Sequence, residues 1–273
     1  MPDIAQAVIT QARPPVDAST QSSAAAPATA MILAAGRGER MRPLTDSYPK
    51  PLLRVRGKAL IDWHIEALVL GGFNDVVVNT AWLGEQFALH FSAQFNHQMR
   101  LQPNDYGRKQ LLISYSHEGV DFGDALETAG GIARALPQLG DVFWVLAGDV
   151  YAPGFAFAQS AVDAFTASGK LAHLWLVPNP THNLKGDFGI SGGGLALNVG
   201  ATSAQPRYTF STIALYRKAF FNTLPYGNPH GKKAALAPLL REAMDNQTVS
   251  AELYTGAWTD VGTPERLAEL NRT

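Results

Sequence analysis

Apolar and polar positions alternate along the chain in two rhythms. Short continuous apolar runs suit buried strands, and longer segments with apolar residues three and four positions apart suit helices. We predict strands at residues 31–35, 76–78, 111–115, 142–147, 172–177, 208–216 and 249–254. We predict helices at residues 60–68, 83–95, 126–136, 156–168 and 233–244, and a last one that begins after Thr263. Strands that alternate with helices predict an α/β fold, a Rossmann-like, mostly parallel sheet flanked by helices on both faces.

Other segments depart from this alternation. Residues 186–197 contain a turn of three glycines between two short apolar runs, which predicts a small hairpin. The polar stretch 96–110 predicts a surface loop. Residues 1–29 are rich in Ala, Ser, Thr, Gln and Pro and have no continuous apolar run, which argues against a secretory signal. We predict a disordered leader, and the alternative is an upstream start codon that is not the native one. We assign residues 30–273 to a single domain.

Composition narrows the class of protein. Hydrophobic residues make up 46 % of the chain and charged residues 16 %, as in globular domains. The net charge of −1 gives no basic field for nucleic acid or an anionic membrane, and no apolar run reaches the roughly 18 residues of a membrane span. The absence of cysteine excludes disulfides and thiolate metal sites and fits a reducing compartment, so we predict a cytoplasmic protein. A monomer and a small homo-oligomer both remain open.

The strongest indication of chemistry lies in residues 31–53. The first apolar strand breaks at Gly36 and Gly38, and glycines let backbone N–H groups face an anion without interference from a Cβ atom. We call residues 36–50 the glycine loop. Together with its cations, this loop predicts a phosphate-binding cradle. Its spacing is neither that of a Walker A loop nor that of a G-x-G-x-x-G turn. The cations of the loop are Arg37, Arg40, Arg42 and Lys50.

Two acids stand where further chemistry is expected. Asp149 directly follows the apolar strand 142–147, and Asp260 lies in the segment W-T-D-V-G-T. Open parallel sheets bind ligands at the carboxyl ends of their strands, so Asp149 and the glycine loop should meet there. Carboxylates of this kind are ligands that Mg²⁺ prefers, together with phosphate oxygens and water. A turn aspartate and a helix-capping acid are the plain structural alternatives at these positions.

The glycine loop also carries a resemblance to a known family. The pattern L-A-A-G-x-G-x-R-M-x-P-L-T, followed by K-P, resembles the signature of sugar-1-phosphate nucleotidylyltransferases, and the likeness covers roughly residues 30–272. It implies a GT-A-like nucleotidyltransferase fold with a small hairpin or lid region for the sugar. It also implies that Arg40 and Lys50 contact the nucleotide phosphates and support catalysis, and that Asp149 and Asp260 hold Mg²⁺ as the cofactor.

The same likeness implies two small-molecule substrates, a nucleoside triphosphate and a sugar 1-phosphate. A V-E-K-P segment that grips the sugar phosphate in many relatives is missing here, which puts the usual hexose pocket in doubt. His182 fits a surface histidine as well as a ligand contact. The implied sugar contacts are Asn179, Asp187 and Thr212. The implied nucleotide contacts are Ala34, Ala35, Gly36, Arg37, Gly38, Glu39, Arg40, Lys50, Asn79, Thr128 and Gly130.

Within the family, the closest likeness is to the bacterial N-acetylmuramate-1-phosphate uridylyltransferases of cell-wall recycling. The implied reaction joins UTP and N-acetylmuramic acid 1-phosphate to give UDP-N-acetylmuramic acid and pyrophosphate. The alternatives are a mannose-1-phosphate guanylyltransferase, a glucose-1-phosphate nucleotidylyltransferase and, from another class, a non-catalytic nucleotide-sensing regulatory subunit. Because a sensor could lose its catalytic groups, the intact loop cations and acids favour an enzyme.

Overall fold

Strands and helices alternate along the described part of the chain, as the apolar pattern predicts. The computed structural model describes residues 29–92, 111–200 and 203–272. The strands are β1 (Thr29–Leu33), β2 (Arg54–Val55), β3 (Lys58–Ala59), β4 (Asp75–Thr80), β5 (Leu112–His117), β6 (Val142–Ala147), β7 (Val150–Tyr151), β8 (Ala172–Val177), β9 (Gly189–Ile190), β10 (Ala196–Leu197), β11 (Thr209–Arg217), β12 (Val249–Leu253) and β13 (Thr259–Asp260). The helices are α1 (Leu44–Ser47), α2 (Leu60–Leu70), α3 (described over 85–92), α4 (Glu118–Phe122), α5 (Glu127–Ala135), α6 (Gln159–Ser168), α7 (Leu236–Asp245) and α8 (Pro264–Leu270). Short 3-10 helices span Glu39–Met41, Lys50–Leu52, Leu136–Gln138 and Lys218–Phe221.

The central sheet has seven strands in the order β12-β8-β11-β6-β1-β4-β5. All of its strands run parallel to one another except β11, which is antiparallel to both β6 and β8. This confirms the predicted mostly parallel sheet. Because β1 and β6 are parallel neighbours, their carboxyl ends reach the same edge, where the glycine loop and Asp149 follow them.

Helices cover both faces of this sheet, as predicted. On one face, α2, α3 and α6 pack on a core around Trp144, whose ring lies 5.0 Å from the ring of Phe157 and 4.9 Å from that of Trp175. On the other face, α5 and α7 pack on a second core that includes Phe143 and Tyr216. Burial on both faces explains why these strands are continuous apolar runs in the sequence rather than alternating ones.

The predicted hairpin is also confirmed, since β9 and β10 pair antiparallel. The turn between them closes through hydrogen bonds from the Ser191 N–H to the Leu195 carbonyl (2.9 Å) and from the Gly194 N–H to the Ser191 carbonyl (3.0 Å). An isolated bridge between Phe188 and Tyr208 ties the hairpin to the start of β11. The hairpin is therefore fixed beside the carboxyl edge of β6.

Some predicted boundaries were wrong. Strand β1 already begins at Thr29, whose hydroxyl accepts a hydrogen bond from the Gly140 N–H (2.7 Å), so the leader cannot extend to residue 29. The rest of the predicted leader, the loop 96–110 and the end of the helix predicted at 83–95 lie outside the described residues. Helix α6 begins at Gln159 rather than 156, because Phe157 is drawn into the core just before it.

Helix α7 begins at Leu236, later than the predicted residue 233. The Ala129 N–H donates to the Ala234 carbonyl at 2.9 Å, and the Asn228 side chain accepts from the Lys232 N–H at 2.8 Å. These bonds hold the residues before α7 against the start of α5. Those residues therefore cannot become part of α7. None of the helices in the described ranges is both long and apolar enough to cross a membrane.

Candidate active site

The glycine loop turns sharply directly after β1. Gly38 has a φ of +70°, in the left-handed region that favours glycine. A Cβ atom there would lie 2.9 Å from Cγ2 of Thr45, whose hydroxyl donates to the Gly38 carbonyl at 2.9 Å. A Cβ atom at Gly36, by contrast, would meet nothing within 4 Å. Gly38 thus makes the turn possible, and Gly36 leaves the backbone open toward the cavity.

Lys50 and Asp149 meet at the carboxyl edge of the sheet. The Gly148 N–H donates to the Leu33 carbonyl at 2.9 Å, and a Cβ atom at Gly148 would lie only 3.1 Å from Pro51. This close packing brings Lys50 to Asp149, and Lys50 Nζ lies 2.5 Å from Asp149 Oδ2. The lysine is 8 % exposed, so its charge is largely withdrawn from solvent.

Asp260 reaches the same edge through backbone pairing. Strand β13 pairs antiparallel with β7, opposite Val150, and the Val261 N–H donates to the Asp149 carbonyl at 2.9 Å. The Asp260 side chain contacts His182, with His182 Nε2 2.8 Å from Asp260 Oδ1, and the same oxygen accepts a hydrogen bond from Arg266. Asp260 therefore lies on a strand that pairs with β7, next to the turn that carries Asp149.

Asp149 and Asp260 both carry carboxylate oxygens that a metal ion could take as ligands. Carboxylates are hard ligands that suit Mg²⁺, Ca²⁺ or Mn²⁺ rather than thiolate-binding metals. Among the described residues, no group of three or more His, Cys, Asp and Glu side chains is arranged to hold a metal. An ion held by Asp149 and Asp260 would therefore take its other ligands from phosphate and water.

A cavity of about 860 Å³ opens at this edge. Its volume is typical of small-molecule sites. Most of the predicted site residues line it, and they come from the ends of several different strands. The predicted residues on its walls are Ala34, Ala35, Gly36, Gly38, Glu39, Arg40, Lys50, Asn79, Thr128, Asp149, Asp187 and Thr212.

Arg37 and Asp260 do not line this cavity, although Gly36, Gly38 and Gly262 do. The Arg37 guanidinium lies 3.4 Å from the ring centroid of Trp82 and forms ion pairs with Glu39 and Asp46 at 3.4 and 3.6 Å. These contacts hold the glycine loop against Trp82. The implied contact between Arg37 and a nucleotide stays a prediction.

Gly130 and Asn179 are also away from the cavity walls. A Cβ atom at Gly130 would lie 2.6 Å from the Lys232 carbonyl, so this glycine allows close packing of α5 on the segment before α7. The Asn179 amide donates to the Arg207 carbonyl at 2.9 Å and accepts from Thr209 at 3.0 Å. Packing and loop closure account for both positions, and the implied contacts of Gly130 with the nucleotide and of Asn179 with the sugar stay predictions.

The Asn79 amide is engaged within the protein at both ends. Its Oδ1 accepts from the Ala34 N–H at 2.7 Å, and its Nδ2 donates to Glu118 Oε1 at 2.6 Å. Asn79 also lines the cavity, and its implied contact with the nucleotide stays a prediction.

Several cavity residues were missed by the sequence analysis. They include the buried acid Glu118, Arg241 on α7 and Tyr216 on β11. The spacing of residues 236, 237, 240 and 241 on one helix face was the available signal for α7. No local signal marked Glu118, because its side-chain partner Asn79 lies 39 positions earlier in the chain.

Strand β11 is irregular where it meets the cavity. Its register with β8 shifts between Phe210 and Ala214, and Thr212 has a φ of +66°. A β-branched residue in the left-handed region is strained, and strain of this kind concentrates at functional sites. The Thr212 hydroxyl donates to the Ser211 carbonyl at 2.5 Å, which holds the bulge.

Two buried ionisable groups support the site from behind. Burial lowers the pKa of His64 to about 4, and its Nε2 lies 2.7 Å from the Val150 carbonyl, directly after Asp149. Burial raises the pKa of Glu118, although hydrogen bonds from Leu126 and Asn79 act in the opposite direction. His64 is therefore neutral near pH 7, and it donates to the segment that carries Asp149.

Comparisons of the sequence and the fold with known proteins point to nucleotidyl transferases. The family model described as nucleotidyl transferase matches residues 29–191. An N-acetylmuramate alpha-1-phosphate uridylyltransferase of Neisseria meningitidis serogroup B is 43 % identical, over 88 % of this chain and 95 % of its own. A protein of the same name from Caulobacter vibrioides is 39 % identical, over 52 % of this chain and 53 % of its own. A Bacillus anthracis crystal structure described as a glucose-1-phosphate thymidylyltransferase shares the fold, with a TM-score of 0.69 at 18 % identity over 89 % of this chain and 94 % of that chain.

Proposed function

The chain belongs to the nucleotidyl transferase family, and from this premise we propose that it transfers a uridylyl group from UTP to N-acetylmuramic acid 1-phosphate. The products are UDP-N-acetylmuramic acid and pyrophosphate, as the names of the two similar uridylyltransferases suggest. A reaction that consumes UTP also fits the cytoplasmic location predicted from the sequence.

The observation that carries this proposal is the meeting of Lys50, Asp149 and the glycine loop on one wall of the cavity. Phosphoryl transfer depends on positioning and charge neutralisation more than on covalent help from the protein. Lys50 and Arg40 supply positive charge to the phosphates, and the open space at Gly36 lets the backbone approach them.

The proposed step needs no covalent enzyme intermediate. An oxygen of the sugar phosphate attacks the α-phosphorus of UTP in line and forms a new P–O bond. The bond from the α-phosphorus to the oxygen that bridges the α- and β-phosphates breaks, and pyrophosphate leaves with that electron pair. Lys50 and Arg40 stabilise the charge that develops on the leaving group.

Asp149 and Asp260 are the residues that would hold Mg²⁺, which would neutralise charge on the α-phosphate when bound. Asp149→Asn and Asp260→Asn should each raise the Mg²⁺ concentration needed for half-maximal turnover. Asp75→Asn, a change of an exposed acid on β4, is the matched control. Magnesium titrations identical to the parent in both site variants would reject metal ligation.

Arg241 supports N-acetylmuramic acid 1-phosphate as the sugar substrate. It lines the cavity, lies 5.2 Å from the ring centroid of Phe188 and donates to Asn198 at 2.7 Å. N-acetylmuramic acid carries a lactyl carboxylate that glucose and mannose lack, and guanidinium groups pair well with carboxylates. Asp187 and Thr212 line the same wall, and we assign them to the sugar as well.

A screen of pyrophosphate release tests this assignment. Four nucleoside triphosphates would each be combined with the 1-phosphates of N-acetylmuramic acid, N-acetylglucosamine, glucose and mannose. We expect the highest kcat/KM with UTP and N-acetylmuramic acid 1-phosphate. Arg241→Gln should abolish the preference over N-acetylglucosamine 1-phosphate, a sugar that differs only by the missing lactyl group.

Other outcomes of the screen would contradict the proposal. A preference for GTP with mannose 1-phosphate, or for glucose 1-phosphate, would point to the other members of the family. Binding of UTP by calorimetry without pyrophosphate release from any pair would favour a nucleotide-sensing subunit.

A further inference from the structure

A buried acid joins two walls of the cavity. Glu118 is fully buried, and its carboxylate accepts a hydrogen bond at each oxygen. Asn79 Nδ2 donates to Oε1 at 2.6 Å, and the Leu126 N–H donates to Oε2 at 2.7 Å. Asn79 in turn accepts from the Ala34 N–H at 2.7 Å. One chain of hydrogen bonds thus runs from the end of β1 to the start of α5.

Both ends of this chain carry residues that line the cavity. Ala34 leads directly into the glycine loop, and Leu126 directly precedes Glu127 and Thr128. Asn79 is the next-to-last residue of β4 and Glu118 directly follows the neighbouring strand β5, so the acid lies between the loop and the helix. Hydrogen bonds to Glu118 therefore connect these two walls.

Glycine at position 131 makes room for this arrangement. A Cβ atom there would lie 3.0 Å from Asn79 Nδ2 and would clash with Glu118 Oε1. A residue larger than glycine at position 131 would therefore push α5 away from Asn79 and Glu118. The close approach of α5 keeps the hydrogen-bond network free of solvent. Such fully satisfied buried networks specify a single geometry.

We propose that Glu118 is a positioning residue that sets the width of the nucleotide cleft by joining Asn79 to Leu126. The inference rests on the proposed function, because it takes the cavity between the glycine loop and α5 as the nucleotide site. An ionised carboxylate suits the task because it accepts two hydrogen bonds and donates none.

The polarity of the network can be reversed to test this. In Glu118→Gln, the new side-chain oxygen can still accept from the Leu126 N–H. Its N–H₂ group then faces the N–H₂ group of Asn79, so two donors meet. In Asn79→Asp, two carboxylates face each other. In the double variant, the amide introduced at position 118 accepts from Leu126 and donates to the carboxylate introduced at position 79. That carboxylate still accepts from Ala34, so every hydrogen bond is restored.

Steady-state kinetics of pyrophosphate release would be measured for the parent, the two single variants, the double variant and the control Asp75→Asn. We expect each single variant to lose about tenfold to a hundredfold in kcat/KM for UTP, mainly through a higher KM, because small displacements in a site have effects of this size. The KM for the sugar phosphate should change little. The double variant should recover most of the loss, and the control should match the parent.

Three results would contradict the role of Glu118 or the proposed function. Unchanged UTP kinetics in Glu118→Gln, or a folded double variant no better than the weaker of the two single variants, would overturn the inference. A lower melting temperature with unchanged kinetic constants would show a merely structural role. If the parent releases no pyrophosphate with any pair, the proposed function fails, and calorimetric UTP affinities of the same variants then decide the inference by the same rescue.

Discussion

Acid should destabilise this protein through His64, a histidine of α2 that is 2 % exposed. Its Nε2 lies 2.7 Å from the Val150 carbonyl, which requires the N–H of a neutral ring or of the imidazolium. Burial disfavours the imidazolium and lowers the pKa of His64 to about 4, from the usual 6.5. The unfolded chain therefore takes up a proton in a pH range where the folded chain does not.

The sign and size of the effect follow from this difference. Stability is fully present above pH 6.5 and falls as the pH is lowered toward 4, because only the unfolded state gains a proton in this window. A difference of about 2.5 pKa units corresponds to about 3 kcal/mol over the whole window. Between pH 7.5 and pH 5, the expected loss from His64 alone is about 2 kcal/mol.

Urea unfolding followed by tryptophan fluorescence at several pH values would measure this loss. His64→Gln is the matched control, because its amide N–H can still donate to Val150 but does not titrate. Burial also lowers the pKa of His173, but that residue is present in both proteins, so its contribution cancels. The free energy of unfolding of the parent should fall more steeply between pH 7.5 and 5 than that of the variant. Equal slopes in the two proteins would refute the reasoning.

Other predictions concern the site and the core. Lys50→Ala should lower kcat by about 10²–10³, the loss typical of one preorganised donor, and near-full turnover would remove Lys50 from the mechanism. Thr212→Gly should raise the free energy of unfolding by about 1 kcal/mol, because glycine relieves the left-handed strain, and a destabilised variant in urea would contradict that strain. Trp144→Ala should lower the free energy of unfolding by about 3–5 kcal/mol, since the ring is fully buried against Phe157 and Trp175, and a loss below about 1 kcal/mol would be incompatible with that packing.

Much of the fold and part of the site followed from local patterns. The parallel sheet was predictable because strands buried on both faces must be continuous apolar runs. The meeting of Lys50 and Asp149 was predictable because parallel strands share one carboxyl edge, and the structure gives a distance of 2.5 Å between them. The resemblance in the glycine loop identified the family, which the comparisons confirm.

Tertiary structure decided the roles of polar side chains whose partners lie far along the chain. From the sequence, Arg37 and Asn79 were both expected to contact the nucleotide. In the structure, Arg37 contacts Trp82 and Asn79 donates to Glu118, and no local pattern marks either partner. The start of α7 and the bulge at Thr212 were equally hidden, because hydrogen bonds between distant segments overrode the local pattern. Apolar periodicity shows which face of a helix or strand is buried. The role of a polar side chain depends on the donor or acceptor that the folded chain places beside it.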